Sequence, residues 1–220
     1  FDRKKPSMNR TILFALTIAL SLGTTGCTHQ EAETGPQYGQ PLPLPRTYEG
    51  QGIEAWASRI QSSANAASSS EFAPILASFG PEALPHLDTW LTTGSSAQRL
   101  LAADTAVLMG AEAAPLAPSL ESLLTSPEAA LRGAAARAMG AIGDGAREYG
   151  NSLAQALHDP EWSVRYHAAM ALASTKSNQQ SVRSTLIDRS RHDLDARVRD
   201  ACVVALGGRL QEEQRRTTSR

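Results

Sequence analysis

Apolar residues return at helical spacing four times along the chain, each time around an arginine. The stretches are "AQRLLAADTAVLMG" (97–110), "ALRGAAARAMGAIG" (130–143), "SVRYHAAMALASTK" (163–176) and "RVRDACVVALGGRL" (197–210). Arg99, Arg132, Arg165 and Arg199 follow one another at intervals of 33, 33 and 34 residues. Positions +3 and +4 from each arginine are Ala102/Ala103, Ala135/Ala136, Ala168/Ala169 and Cys202/Val203, and position +7 is Ala106, Met139, Leu172 and Leu206. Together with position −1 these fall on one face of an α-helix, so each stretch predicts an amphipathic helix. An earlier copy without the arginine, "SEFAPILASFG" (70–80), keeps the spacing and the closing Gly80.

Turn and cap signals support the same elements. Ser126-Pro127 and Asp159-Pro160 predict helix starts, with a capping side chain followed by proline at the first helical position. Gly110, Gly143 and Gly207 predict helix ends, since glycine takes the left-handed conformation that closes a helix. After each such helix comes a second apolar-periodic segment, over 83–93, 116–126, 150–159 and 181–191. A pair of about 33 residues has no partner for both of its apolar faces, so consecutive pairs must stack into a solenoid. The expected architecture is all-α, a solenoid of about four to five helical pairs over residues 53–210. Composition fits this, because aromatic residues make up only 5% of a chain that is 41% apolar, which leaves Ala and Leu to build the core.

The two ends read differently. Basic residues Arg3, Lys4, Lys5 and Arg10 precede "TILFALTIALSL", an apolar run of 12 residues, too short for the roughly 20 that a bilayer-spanning helix needs. Residues 1–27 therefore read as a signal peptide. Its end, "TTGC", resembles a bacterial lipobox with Cys27 as the lipid-bearing residue. That resemblance implies a lipid anchor in the bacterial cell envelope, and Thr28 after the cysteine points to the periplasm-facing outer membrane. Residues 28–52, with Pro36, Pro41, Pro43 and Pro45, read as an extended tether, and 211–220 as a polar tail. Residues 1–27 hold four of the 21 basic residues and one of the 22 acids, so the rest carries a formal charge of −4. A mildly acidic chain with no basic stripe argues against nucleic-acid binding.

The pattern "VRxxAAxAL…G" after an Asp-Pro turn resembles HEAT repeats of the short bacterial type, also seen in phycobilisome-lyase-related proteins. The copies are "DPEWSVRYHAAMAL", "SPEAALRGAAARAMGAIG" and "LDARVRDACVVALGG". The resemblance implies a right-handed α-α superhelix whose second helices line a concave surface. It implies a scaffold that binds a protein or peptide on that concave surface, with a lyase-like or cofactor-handling helper and a structural assembly factor as alternatives.

Candidate chemistry is sparse. His29, His86, His158, His167 and His192 lack metal-ligand spacing, and neither HExxH nor paired CxxC occurs. Of these, His158, His167 and His192 read as solvated. Cys202 falls on the apolar stripe and reads as a small core residue. Asp188, Asp193 and Asp195 lack the spacing of a calcium loop, and "GDG" (143–145) follows no strand. No catalytic residue, cofactor site or metal site is expected. The recurrent Arg99, Arg132, Arg165 and Arg199 read as structural, each stem covering the core while the guanidinium meets a turn carboxylate or carbonyl. Positions −3, +1 and +5 turn away from the stripe, and there Trp162, Tyr166 and Met170, with Arg137 on the helix before, are the expected partner-binding residues.

Overall fold

A computed structural model describes residues 46–62, 69–177 and 179–218. The candidate signal, Cys27, His29 and the tether as far as Pro45 lie outside them. Among the described residues the chain forms ten α-helices and no strand: α1 (Ile53–Ser62), α2 (Ser69–Ser78), α3 (Leu84–Thr93), α4 (Ser96–Met109), α5 (Ala117–Leu123), α6 (Ala129–Ile142), α7 (Gly150–Ala156), α8 (Trp162–Thr175), α9 (Gln180–His192) and α10 (Ala196–Thr218). Helices α2, α4, α6, α8 and α10 pack side by side in one layer, and α3, α5, α7 and α9 form a second. The pairs α3/α4, α5/α6, α7/α8 and α9/α10 stack as an α-α superhelix, as the periodicity predicts.

The core lies between the layers. Ala102, Ala103, Ala135, Ala136, Ala168 and Ala169 are fully buried where the arginine-bearing helices meet, and Leu87, Leu120, Leu153 and Leu186 fill the space from the second layer. Small residues bring α6 and α8 so close that a Cβ on Gly140 would stand 3.0 Å from the Ala171 Cα. Each fully buried leucine contributes about 1.5–3 kcal/mol relative to an exposed one. At the N-terminal end Trp56 and Ile60 of α1 join the same core.

Helix boundaries depart from the sequence reading at both kinds of end. Gly110 (φ 59°) and Gly143 (φ 67°) do end α4 and α6. However, Gly207 lies inside α10, and α8 ends on Lys176 in the left-handed conformation (φ 49°). The stop sits eleven positions after the arginine; in α10 that position is Leu210, a residue ill-suited to positive φ, and the helix runs on. Its backbone stays helical to Thr218, through most of the segment expected as a tail.

At the starts, Asp159-Pro160 and Ser126-Pro127 stand ahead of the helix, not at its cap. Their side chains accept the N–H two residues on, Glu161 N–H at 2.9 Å and Glu128 N–H at 3.3 Å. They shape the turn, and α6 and α8 begin only at Ala129 and Trp162.

The expected tether also shortens. Tyr48 and Gln51 exchange backbone hydrogen bonds of 2.9 and 3.0 Å, and Trp56 Nε1 donates to the Tyr48 carbonyl at 3.2 Å. The Tyr48 ring meets Trp56 edge-on at 5.7 Å. Arg46–Gly52 thus belongs to the folded part.

Candidate functional site

The recurrent arginines join one repeat to the next. Arg132 Nη1 donates to the carbonyls of Ser126 and Pro127 in its own turn, at 2.8 and 3.0 Å. Its Nε and Nη2 reach forward to Asp159 Oδ2 and Oδ1 in the next turn, at 2.6 and 2.9 Å. Arg165 repeats the arrangement, with Nη1 on the carbonyls of Asp159 and Pro160 and Nε and Nη2 on Asp193 at 2.8 and 2.9 Å. The planar fork suits a carboxylate held by two parallel bonds, which an ammonium would not match.

Burial opposes ionisation of Asp159 and Asp193. The arginine hydrogen bonds, the turn N–H groups of Glu161 and Asp195 and the nearby arginine charges outweigh it, so both carboxyls sit below the usual range. The Asp193 hydrogen bond likewise raises Arg165, against the effect of burial.

The first joint is built differently. Arg99 Nη2 donates to the Thr92 carbonyl at 3.2 Å, while its Nε is buried with no acceptor among the described residues. Asp159 and Asp193 lie 27 and 28 positions after their arginines; the place 27 after Arg99 is Ser126, which has no carboxylate.

On the outer face of the same layer, Trp162 is 36% and Met170 39% exposed, two turns apart on α8. One face of the Trp162 ring is covered by the Arg197 guanidinium, 3.5 Å from its centroid. Arg197 is itself held by Asp195 through bonds of 3.1 and 2.8 Å, and its hydrogen bond draws the half-buried Asp195 carboxyl down to about 2. Trp162 is therefore a fixed ledge with one free side. Arg197 has no counterpart in the other repeats, where this position is Ala97, Ala130 and Ser163, so periodicity gave it no weight.

Tyr166 is half-buried and meets the His167 ring edge-on at 5.5 Å. Arg137 is exposed and ion-paired with Asp104, the residue at the same position one repeat earlier. That row continues through Met170 to Val204, so it passes from a charged pair to apolar side chains along the stack.

His167 corrects an expectation, since it does not face solvent freely. Its row holds Leu101, Ala134 and Ala201, all buried, and its ring packs over Gly133, whose Cβ would stand 3.8 Å from His167 Cδ2. Burial, then the charge of Arg137, lower its pKa and favour neutral imidazole.

The remaining titratable groups have ordinary company. His86 meets Glu54 at 3.2 Å and His192 meets Asp188 at 3.0 Å, while His158 is exposed. Asp188, Asp193 and Asp195 are divided among His192, Arg165 and Arg197. Among the described residues no three His, Cys, Asp or Glu side chains converge. Cys202 is fully buried, and burial, with Asp193 adding to it, pushes its thiol up to about 12, which favours the protonated thiol. Asp144 of the "GDG" turn faces Lys176 at 3.4 Å.

Residues 116–207 match the family model for HEAT repeats. Among solved structures, the chain is similar to the complex of CpcE and CpcF of phycocyanin lyase from Nostoc sp. PCC7120. The identity is 20% and the TM-score 0.58, over 70% of this chain and 97% of that one. It is also similar to an engineered protein at 22% identity and a TM-score of 0.53, over 73% of this chain and 80% of the other. At these identities the likeness is one of fold. No curated protein matches the sequence.

Proposed function

We propose that this chain, whose residues 116–207 match the HEAT-repeat family model, is a non-catalytic scaffold that binds a protein or peptide on its concave face, at α8 and its neighbours. The observation that carries the reading is the exposure of Trp162 and Met170 on one helix, beside Val204 at 57% on the next. Grouped large apolar side chains on an otherwise Ala-rich layer favour a partner's anchor residues over solvent. Trp162 is preorganised by Arg197, which lowers the cost of ordering it on binding. Arg137 and Asp104 supply a polar rim on one side.

The same proposal holds the domain at the bacterial envelope through lipid on Cys27, facing the periplasm from the outer membrane. The lipobox-like "TTGC" supports this. Labelling of the chain by a fatty-acid analogue, lost in Cys27→Ser, is the expected result.

The test of binding replaces Trp162, Tyr166 and Met170 by Ala in the full chain and compares crosslinked neighbours in membranes. Loss of a discrete neighbour supports the reading, and an unchanged set contradicts it in favour of a structural factor acting through other surfaces. The likeness to a structure of phycocyanin lyase favours a second reading, a lyase-like helper. A visible absorbance band in the purified protein would support that one instead.

A further inference from the structure

The joint between repeats is an arginine fork that takes the next turn's aspartate, beside an alanine that the next repeat buries. The repeat of α10, the last among the described residues, presents the same surface with neither partner in place. Arg199 Nη1 holds the carbonyls of Asp193 and Leu194, at 2.7 and 3.4 Å, as Arg132 and Arg165 hold those of their own turns. No acceptor among the described residues meets its Nε or Nη2, the two donors that grip Asp159 and Asp193 elsewhere. Four positions on, Val203 is 57% exposed, where Ala103, Ala136 and Ala169 are fully buried. Among the described residues the backbone does not turn back over that surface, because α10 stays helical to Thr218 where α4, α6 and α8 stop after 14 residues.

We infer that the end of the stack formed by Arg199 and Val203 is an interaction surface for a helical element of another protein that carries an aspartate in the turn before its helix. Asp159 and Asp193 show the required chemistry within the molecule. The carboxylate takes Nε and Nη2 together, its turn N–H completes it, and the helix that follows lies over the apolar row. Charge complementarity selects a carboxylate, and the planar fork selects two-oxygen contact over a single point charge.

A second copy of this chain does not fit. The segment before α2, within "SSANAASSS" (62–70), has no carboxylate in its sequence, and Trp56, with Tyr48 against it, is buried at the N-terminal end of the described helices. Two copies meeting by these ends would set Arg199 against Arg199. This surface is separate from the α8 face, so either can fail alone.

The experiment places a photocrosslinking amino acid at Val203 in the full chain, in its native membranes, and maps the adduct by mass spectrometry. The expected adduct joins a different protein within a helix that follows an aspartate. Arg199→Gln, and Arg199→Lys, which keeps the charge but not the fork, should each lower its yield about tenfold, the loss that one charge-assisted hydrogen bond carries. Changing the partner's aspartate to Asn should give the same loss, with no further fall on combining it with Arg199→Gln. No adduct, an adduct to a second copy of this chain, or an adduct indifferent to both Arg199 variants overturns the inference. A crosslinker at Met170 and circular dichroism of each variant show that the fold is intact.

Discussion

Arg165 holds Asp193 of the following turn by two parallel hydrogen bonds, Nε to Oδ2 at 2.8 Å and Nη2 to Oδ1 at 2.9 Å. The Asp193 side chain is fully buried and the Arg165 side chain 10% exposed, so water cannot replace either partner. Asp193→Ala should therefore destabilise by about 3 kcal/mol, the cost of leaving a buried charge alone. Arg165→Met with Asp193→Leu should cost less than the sum of the single changes. A double-mutant cycle by urea unfolding measures this, and additive losses would show that the pair does not couple the repeats.

The sequence position that supplies an aspartate to Arg132 holds Ser126 for Arg99, whose Nε is buried with no acceptor among the described residues. Ser126→Asp should complete the first joint and raise stability by about 1 kcal/mol, the typical net worth of an added hydrogen bond. The Ser126 carbonyl that Arg132 uses is backbone and remains in place. A rise in Tm in Ser126→Asp that vanishes in the Arg99→Gln background is the expected outcome.

Helix ends give a pair of opposite predictions. Gly143 has φ 67° and ψ −127°, a region open to glycine alone, so Gly143→Ala should destabilise by about 1–3 kcal/mol. Lys176 takes the left-handed stop at φ 49° with a side chain, so Lys176→Gly should stabilise by up to about 1 kcal/mol. Thermal unfolding of the two variants reads both signs.

His167 makes stability depend on pH. Its folded pKa is lowered, by burial and then by Arg137, so below about 6.5 the unfolded chain binds a proton that the folded chain resists. Stability is then fully present above about pH 6.5 and falls as pH drops toward the lower folded value. Urea midpoints of the wild type should fall between about pH 7.5 and 5.5, with a shallower fall in His167→Gln. Parallel slopes would contradict this account.

Much of the fold was legible because one packing problem recurs every 33 or 34 residues. Each solution left the same mark around Arg99, Arg132, Arg165 and Arg199. The partners of the recurrent arginines were half legible: a turn carboxylate or carbonyl was expected, and each complete joint uses both. What stayed hidden needed neighbours from another repeat. Helical spacing alone does not show that position +2, where His167 stands, is covered by the helix before it. Nor does it show that Arg197 reaches back from α10 to cover the Trp162 ring. Gly207 misled because the stop is fixed by distance from the arginine, a register that Lys176 fills without being glycine.

The proposed function rests on contact at the α8 face. A photocrosslinking amino acid at Met170, compared with one at Gln155 in the second layer, tests it most directly in native membranes. Both positions are exposed and lie on adjacent helices of one repeat. The account predicts a discrete adduct from position 170 that is lost when Trp162 is changed to Ala, and none from position 155. Equal adducts from both positions, or none from position 170, would contradict it.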